Sequence, residues 1–270
     1  MRGTSRASLD AAEGRFEPVL GAAGAKASVL GEQLFALVDA LDHSGSLRRT
    51  LADPSIPAAP KAALVAQLLK DAEPAVIEAA QGLVGARWSD DRDLADAAEH
   101  LGFHALLADA EARGQLDRVE EELFRLTRAL VGEREVRQTL FDDKIPGSAR
   151  AALVDQILAD RADPSTAAIA RRAAAAPRGR RYVATLGHIA DLIAERRQRQ
   201  VATVTAAAPL TSAQRDRLAS ILERAYGRAV QINEVHDTQV LGGLRIQVGP
   251  NVVDSTVLAR LADARRRVAS

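Results

Sequence analysis

LRRTLADPSIPAAPKAALVAQLL, residues 47–69, returns 89 residues later as VRQTLFDDKIPGSARAALVDQIL, residues 136–158, with 12 of the 23 positions identical. Upstream, Leu34, Phe35, Leu37, Ala40 and Leu41 fall on Leu123, Phe124, Leu126, Ala129 and Leu130 at the same shift, so the preceding segment is repeated as well. The period is longer than the roughly 20–50 residues of solenoid repeats. The pattern therefore reads as two copies of one small domain, over residues 1–98 and 99–199.

Each copy is helical by pattern. Leu30, Leu34, Leu37, Val38 and Leu41 form one helix stripe, and Val119, Leu123, Leu126 and Leu130 repeat it. Asp53-Pro54-Ser55-Ile56-Pro57 and Ile145-Pro146-Gly147-Ser148 interrupt the copies, because proline disfavours helix in the residue before it. A new helix is expected after each break, with Pro60 in a first turn and Ser148 as a cap. Gly21-Ala-Ala-Gly24 reads as a loop. Each copy is then a bundle of short helices that must bury its stripes internally or lend a groove to a partner helix.

From about residue 200 the period shifts from 3.6 to 2. Val201–Ala206 and Val230–Val235 are strand candidates, and between them Thr211 and Gln214 have the spacing of a capping box. That box opens a helix with Leu218, Ile221, Leu222 and Ala225 on one side, ending near Gly227. Val240, Gly242, Leu244, Ile246 and Val248 alternate with Leu241, Gly243, Arg245 and Gln247 as a third strand, and the Gly242-Gly243 pair suggests a bulge or a close approach. Val252 and Val253 lead to Asp254 and Ser255, candidate caps of a last helix to Val268. The fold class is α+β, mostly α: two tandem helical bundles and a C-terminal α+β module over 200–270.

Composition narrows the function. The 270 residues carry 36 basic and 36 acidic side chains and no cysteine, which removes disulfides, thiol nucleophiles and thiolate metal sites. Residues 1–170 hold 19 basic against 28 acidic side chains, and residues 171–270 hold 17 against 8, so the zero net charge hides a dipolar chain. The sharpest basic block, Arg171, Arg172, Arg178, Arg180, Arg181, Arg196, Arg197 and Arg199, reads as a solvated face, a nucleic-acid surface or a docking face for an acidic helix. Tyr182 is its one aromatic residue, so base stacking is poorly served. No stretch has the apolar length of a signal peptide or a membrane span, and association with a membrane is expected only through a partner.

The run from Val240 to Gly249, the flanking Asp237, then Val252-Val253-Asp254-Ser255 and Arg260-Leu261, resembles the signature of the delta subunit family of the rotary F-type ATP synthase. The mitochondrial relative is the oligomycin sensitivity-conferring protein. Ala105-Leu106-Leu107, Gly114-Gln115-Leu116-Asp117 and Glu120-Glu121-Glu122-Leu123 are similar to the opening helices of that family, and Val201–Leu210 to its domain junction. The resemblance covers roughly 100–270, with Asp237, Gly242, Gly243, Gly249 and Asp254 as its signature residues. His236 and Gly102-Phe103 depart from the pattern, and residues 1–98 look like an extra copy of the helical domain.

The resemblance implies a non-catalytic stator part, peripheral at the cytoplasmic face of the cell membrane. Its helical domain would grip N-terminal helices of the alpha subunits, and its C-terminal module would hold the end of the b subunit. Leu106, Ile169 and Ala173 are the alpha-contact candidates carried over. On this reading Ile169→Asp weakens alpha binding and spares the helical signal, whereas loss of the fold would mark a core position. The basic block is expected to dock in a salt-sensitive way on acidic partner surfaces.

Enzyme chemistry finds no candidate. His100 and His104 are spaced to share a helix face, but they lack the His-Glu-x-x-His motif and a third ligand, so no metal is assigned. A phosphate-binding loop and a Gly-x-Ser-x-Gly elbow are both missing from the sequence, so no cofactor is expected. The competing class is a basic helical adaptor that binds RNA or another acidic partner. The stator reading expects no nucleic acid.

Overall fold

The two quoted segments fold alike. In the computed structural model, which describes residues 1–254 apart from 2, 143, 160, 199–200, 208–209, 227–229, 237–242 and 249–250, the chain is mostly helical with one small sheet. The helices are α1 (Gly3–Ala23), α2 (Ala27–His43), α3 (Gly45–Ala52), α4 (Ala58–Leu68), α5 (Pro74–Gly85), α6 (Asp91–Ala112), α7 (Leu116–Leu130), α8 (Arg134–Phe141), α9 (Gly147–Leu158), α10 (Pro164–Ala175) and α11 (Tyr182–Gln198). A shift of 89 carries α3 onto α8 residue for residue, and the first residues of α2 and α4 onto those of α7 and α9. The breaks repeat as well. Ser55 N–H donates to the Asp53 carboxylate (2.8 Å) and Lys144 N–H to that of Asp142 (2.9 Å). Buried Lys61 and Arg150 then reach back to the carbonyls of those same aspartates at 3.0 and 2.7 Å.

Two compact units divide the chain, residues 1–190 and 191–270. In the first, the predicted stripes are interior: Leu30, Leu34, Leu37, Val38 and Leu41 on α2, and Val119, Leu123, Leu126 and Leu130 on α7. The joint expected at 98/99 falls inside α6, which runs unbroken from Asp91 to Ala112 and is buried at every residue from Ala97 to Ala110. Packing explains the burial, because α1, α2, α3 and α5 lie against α6 together with α7 and α10. Gly21, Ala22 and Ala23 belong to α1 rather than to a loop, and Gly24, at φ +55°, opens the 3-10 turn Gly24–Lys26 that follows it. Ser148 lies within the first turn of α9, whose cap position is Pro146, so it is not the cap. Pro60 does sit in the first turn of α4.

The α2–α6 contact depends on missing side chains. A Cβ on Gly31 would come within 2.8 Å of the Gly102 carbonyl oxygen, and one on Gly102 within 2.5 Å of the Phe35 ring. Gly102→Ala is therefore expected to cost about 1–3 kcal/mol as Phe35 is pushed from its place, read as a lower urea midpoint. An unchanged midpoint would mean that the ring swings aside freely.

In the second unit, strand β1 (Val201–Ala206) pairs in parallel with β2 (Gln231–His236) and antiparallel with β3 (Leu244–Val248), which pairs with β4 (Asn251–Asp254). Helix α12 (Ser212–Tyr226) makes the crossover that a parallel pair requires. Its capping box forms as expected: Gln214 N–H donates to Thr211 Oγ1 (3.3 Å) and Thr211 N–H to Gln214 Oε1 (2.9 Å). Leu218 and Leu222 join Val204 and Val230 in the core, whereas Ile221 and Ala225 face solvent, because the stripe is narrower than four residues. Arg245 and Gln247 are exposed while Leu244 and Ile246 are half-buried, the alternation read from the sequence.

Candidate partner-binding site

Each carried-over contact residue is interior. Leu106 and Ile169 are 0 % exposed and Ala173 is 1 %. A shift of 89 places Ile169 and Ala173 on Ala80 and Val84, which lie in the core cluster of the first copy, so these are core positions in both copies. Leu106 differs. It falls on half-buried Glu17, and its side chain approaches the Cβ direction of Gly31 on α2 at 3.4 Å.

Helix α2 thus lies along α6 and reaches α10. Ser28 donates to Asp109 (2.9 Å), and the Phe35 ring meets Phe103 edge-on at 5.1 Å. Arg172 of α10 stands over the Phe35 ring at 4.6 Å and donates to Asp39 at 2.7 Å. The pairing is antiparallel, with the start of α2 beside the end of α6.

Four arginines of the basic block are paired within the chain. Arg171 pairs with Asp155 and Arg172 with Asp39, while Arg178 takes Asp42, Asp96 and Glu99, and Arg180 also takes Glu99. Burial alone would lower the Arg178 pKa, but Glu99, Asp96 and Asp42 outweigh it and hold the guanidinium more firmly charged. Burial raises Asp96 on balance, against the pull of Arg178 and Arg180. Arg178 sits at φ +51° between Pro177 and Gly179, strained backbone that this ion cluster holds in place. A cleft of about 930 Å³ opens here, and its Arg172 and Arg178 are already committed to carboxylates of the chain. Neither RNA nor an acidic partner finds those four cations unengaged, which removes the basis of the adaptor reading there.

A second cluster, absent from the sequence reading, ties α6, α7 and α10 together. Arg113 donates from Nε to Asp109 (2.8 Å) and through both terminal nitrogens to Asp163 (2.7 and 2.8 Å), and Nη2 also reaches Ser165 Oγ (2.9 Å). Asp163 caps α10 by accepting from Ser165 N–H, while its own N–H and the Thr166 hydroxyl both donate to Glu122. The only sequence hint is Asp163-Pro164, a cap followed by proline at a first helical position.

Of the signature residues, Gly243 takes φ +83°, the left-handed backbone that favours glycine. Asp254 ends β4, and the helix it is expected to cap lies outside the described residues. Asp237, Gly242, Gly249 and the last helix lie outside the described residues.

The helices are locked by internal ion pairs, and Phe124 (58 % exposed) and Val131 (65 %) are carried to solvent. Residues 104–268 match the family model described as ATP synthase delta (OSCP) subunit. The ATP synthase subunit delta of Beutenbergia cavernae is 53 % identical over 270 residues, covering 100 % of both chains. That of Kineococcus radiotolerans is 44 % identical over 99 % of this chain and 97 % of its own, and that of Streptomyces coelicolor 39 % over 100 % and 99 %. The chain belongs to the ATP synthase delta (OSCP) subunit family. These relatives span residues 1–98 too, so the duplicated segment is common to them.

Proposed function

We propose that this chain is a non-catalytic peripheral-stalk subunit of an F-type ATP synthase, joining alpha-subunit N-terminal helices to the C-terminal end of the b subunit at the cytoplasmic face of the membrane. The observation that carries the reading is the family match over residues 104–268 with full-length delta relatives. Among the described residues no helix is long and apolar enough to cross a membrane, which fits attachment through other subunits. The helical unit is read as two bundles that share α6, the last helix of one and the first of the next. The four-stranded module is assigned to the b subunit.

The cover that α2 places on Leu106 bears on stoichiometry. We read α2 as filling, within the chain, the α6–α10 surface on which the resemblance places an alpha helix. A shift of 89 carries Gly102, Leu106 and Asp109 onto half-buried Glu13 and Glu17 and buried Leu20, whereas Ala11, Gly14 and Pro18 leave a neighbouring face of α1 exposed, and a Cβ on Gly14 would meet nothing within 4 Å. Calorimetric titration with the alpha N-terminal peptide from the same genome is expected to saturate at one peptide per chain. Ala11→Arg, on that exposed face, should weaken binding at least tenfold with the far-UV helical signal unchanged. Two peptides per chain would sink the idea that α2 fills the second surface, and no binding by the folded chain would sink the alpha assignment.

A further inference from the structure

Donors far apart in sequence meet on one side of α6. His100 and His104 stand one turn apart with ring centroids 4.6 Å from each other, and α1 brings Glu13, whose Oε1 lies 2.5 Å from His100 Nε2. Both histidines are buried and Glu13 is half-buried. One ligating atom from each of the three falls within 4.8 Å of the others. His188 of α11 borders the group, its ring centroid 5.9 Å from that of His100, and it is exposed.

We propose that Glu13, His100 and His104 form a site for one divalent transition-metal ion, Zn²⁺ foremost, with His188 or a water as the fourth ligand. Two imidazoles and one carboxylate suit Zn²⁺, whereas Ca²⁺ and Mg²⁺ favour oxygen ligands alone. With Zn–N and Zn–O bonds near 2.0–2.2 Å, tetrahedral ligand atoms stand about 3.3 Å apart. Side-chain rotation closes the 4.8 Å spread to that distance, and the Glu13–His100 contact opens to admit the ion between them. The Glu13 charge offsets part of the ion's charge, and the exposed His188 side supplies an entry path. The i, i+4 spacing sets both imidazoles on one helix face. The third ligand, 87 residues upstream, is visible only in the fold. Such an ion would staple α1 to α6, so its binding would act as folding free energy.

The test uses the untagged full-length chain, stripped with a chelator, dialysed, and titrated with ZnCl₂ alone by calorimetry, followed by thermal melting. The expected result is one ion per chain, a higher melting temperature, and tetrahedral d–d absorption when Co²⁺ replaces Zn²⁺. His104→Ala and, separately, Glu13→Gln should each weaken Zn²⁺ binding by at least about 100-fold, the upper end of what outer-shell changes cost. Glu13→Gln keeps the side-chain shape and decides the matter if His104→Ala does not fold. An absence of saturable binding, or binding of the same strength in a folded variant, overturns the proposal.

Discussion

Arg113→Met lowers the stability of the helical unit by about 3–5 kcal/mol, because it removes the one cation shared by two buried carboxylates. The Asp109 and Asp163 side chains are 6 % and 2 % exposed, so water cannot replace what the guanidinium gave them. Urea unfolding at neutral pH is the measurement. A loss below about 1 kcal/mol, the range of surface ion pairs, would show that the cluster is solvated and peripheral. Acid supplies a second check. Burial, the largest single influence, would raise Asp163, but the hydrogen bonds from Arg113 and Ser165 and the charges of Arg113 and Arg118 bring it below its ordinary 3.8. Glu122 likewise ends below 4.5, since bonds from Thr166, Asp163 N–H and Arg118 outweigh its burial. Both depressed groups contribute stability that is present above their ordinary values and lost as pH falls through the folded ones. In the Met variant Asp163 is left buried without its partner, so protonation relieves it. The gap between the two proteins should narrow below about pH 4, and a gap that holds constant or widens would contradict this account.

Ile169→Asp unfolds the chain or costs it more than about 4 kcal/mol, because a carboxylate is forced into a site with no exposure and no apolar residue to yield it. The far-UV helical signal should fall together with any alpha binding. That reverses the outcome expected from the family resemblance alone, which had the helix intact and only the partner lost. Ile169→Val, which removes one methylene, should cost about 0.5–1.5 kcal/mol and leave alpha binding intact. If Ile169→Asp folds normally and binding alone is lost, Ile169 is a contact residue after all.

The contrast shows what was legible in the sequence and why. Wherever one helix face recurs with a stripe and a proline break, as at Leu30–Leu41 or Asp53–Pro57, periodicity located the element. The Thr211–Gln214 cap was readable because both partners lie within one turn. Burial from several directions was not readable. α6 carries His, Gly and Asp among its apolar residues, so no single stripe announces a helix enclosed on all sides, and the repeat period alone puts the joint in its middle. Ile169 and Ala173 present the same apolar chemistry whether they face a core or a partner. The repeat resolves them, because Ala80 and Val84 occupy the same positions in the other copy and are buried there. The arginine block stayed open for a related reason: local charge density says nothing about Asp39, Asp42, Asp96 and Glu99, which come from 79 to 136 residues away to pair with Arg172, Arg178 and Arg180.

A linker between two domains is a pivot, and a strut with a pivot gives way under load before it transmits any. The duplicated part of this chain has no linker at that place. Because Asp91–Ala112 is a single helix gripped along its length by neighbours from both sides, a twist applied to the first copy reaches the second as strain within one rod. Lengthening by this kind of overlap adds reach and keeps stiffness, where a tether would have added slack.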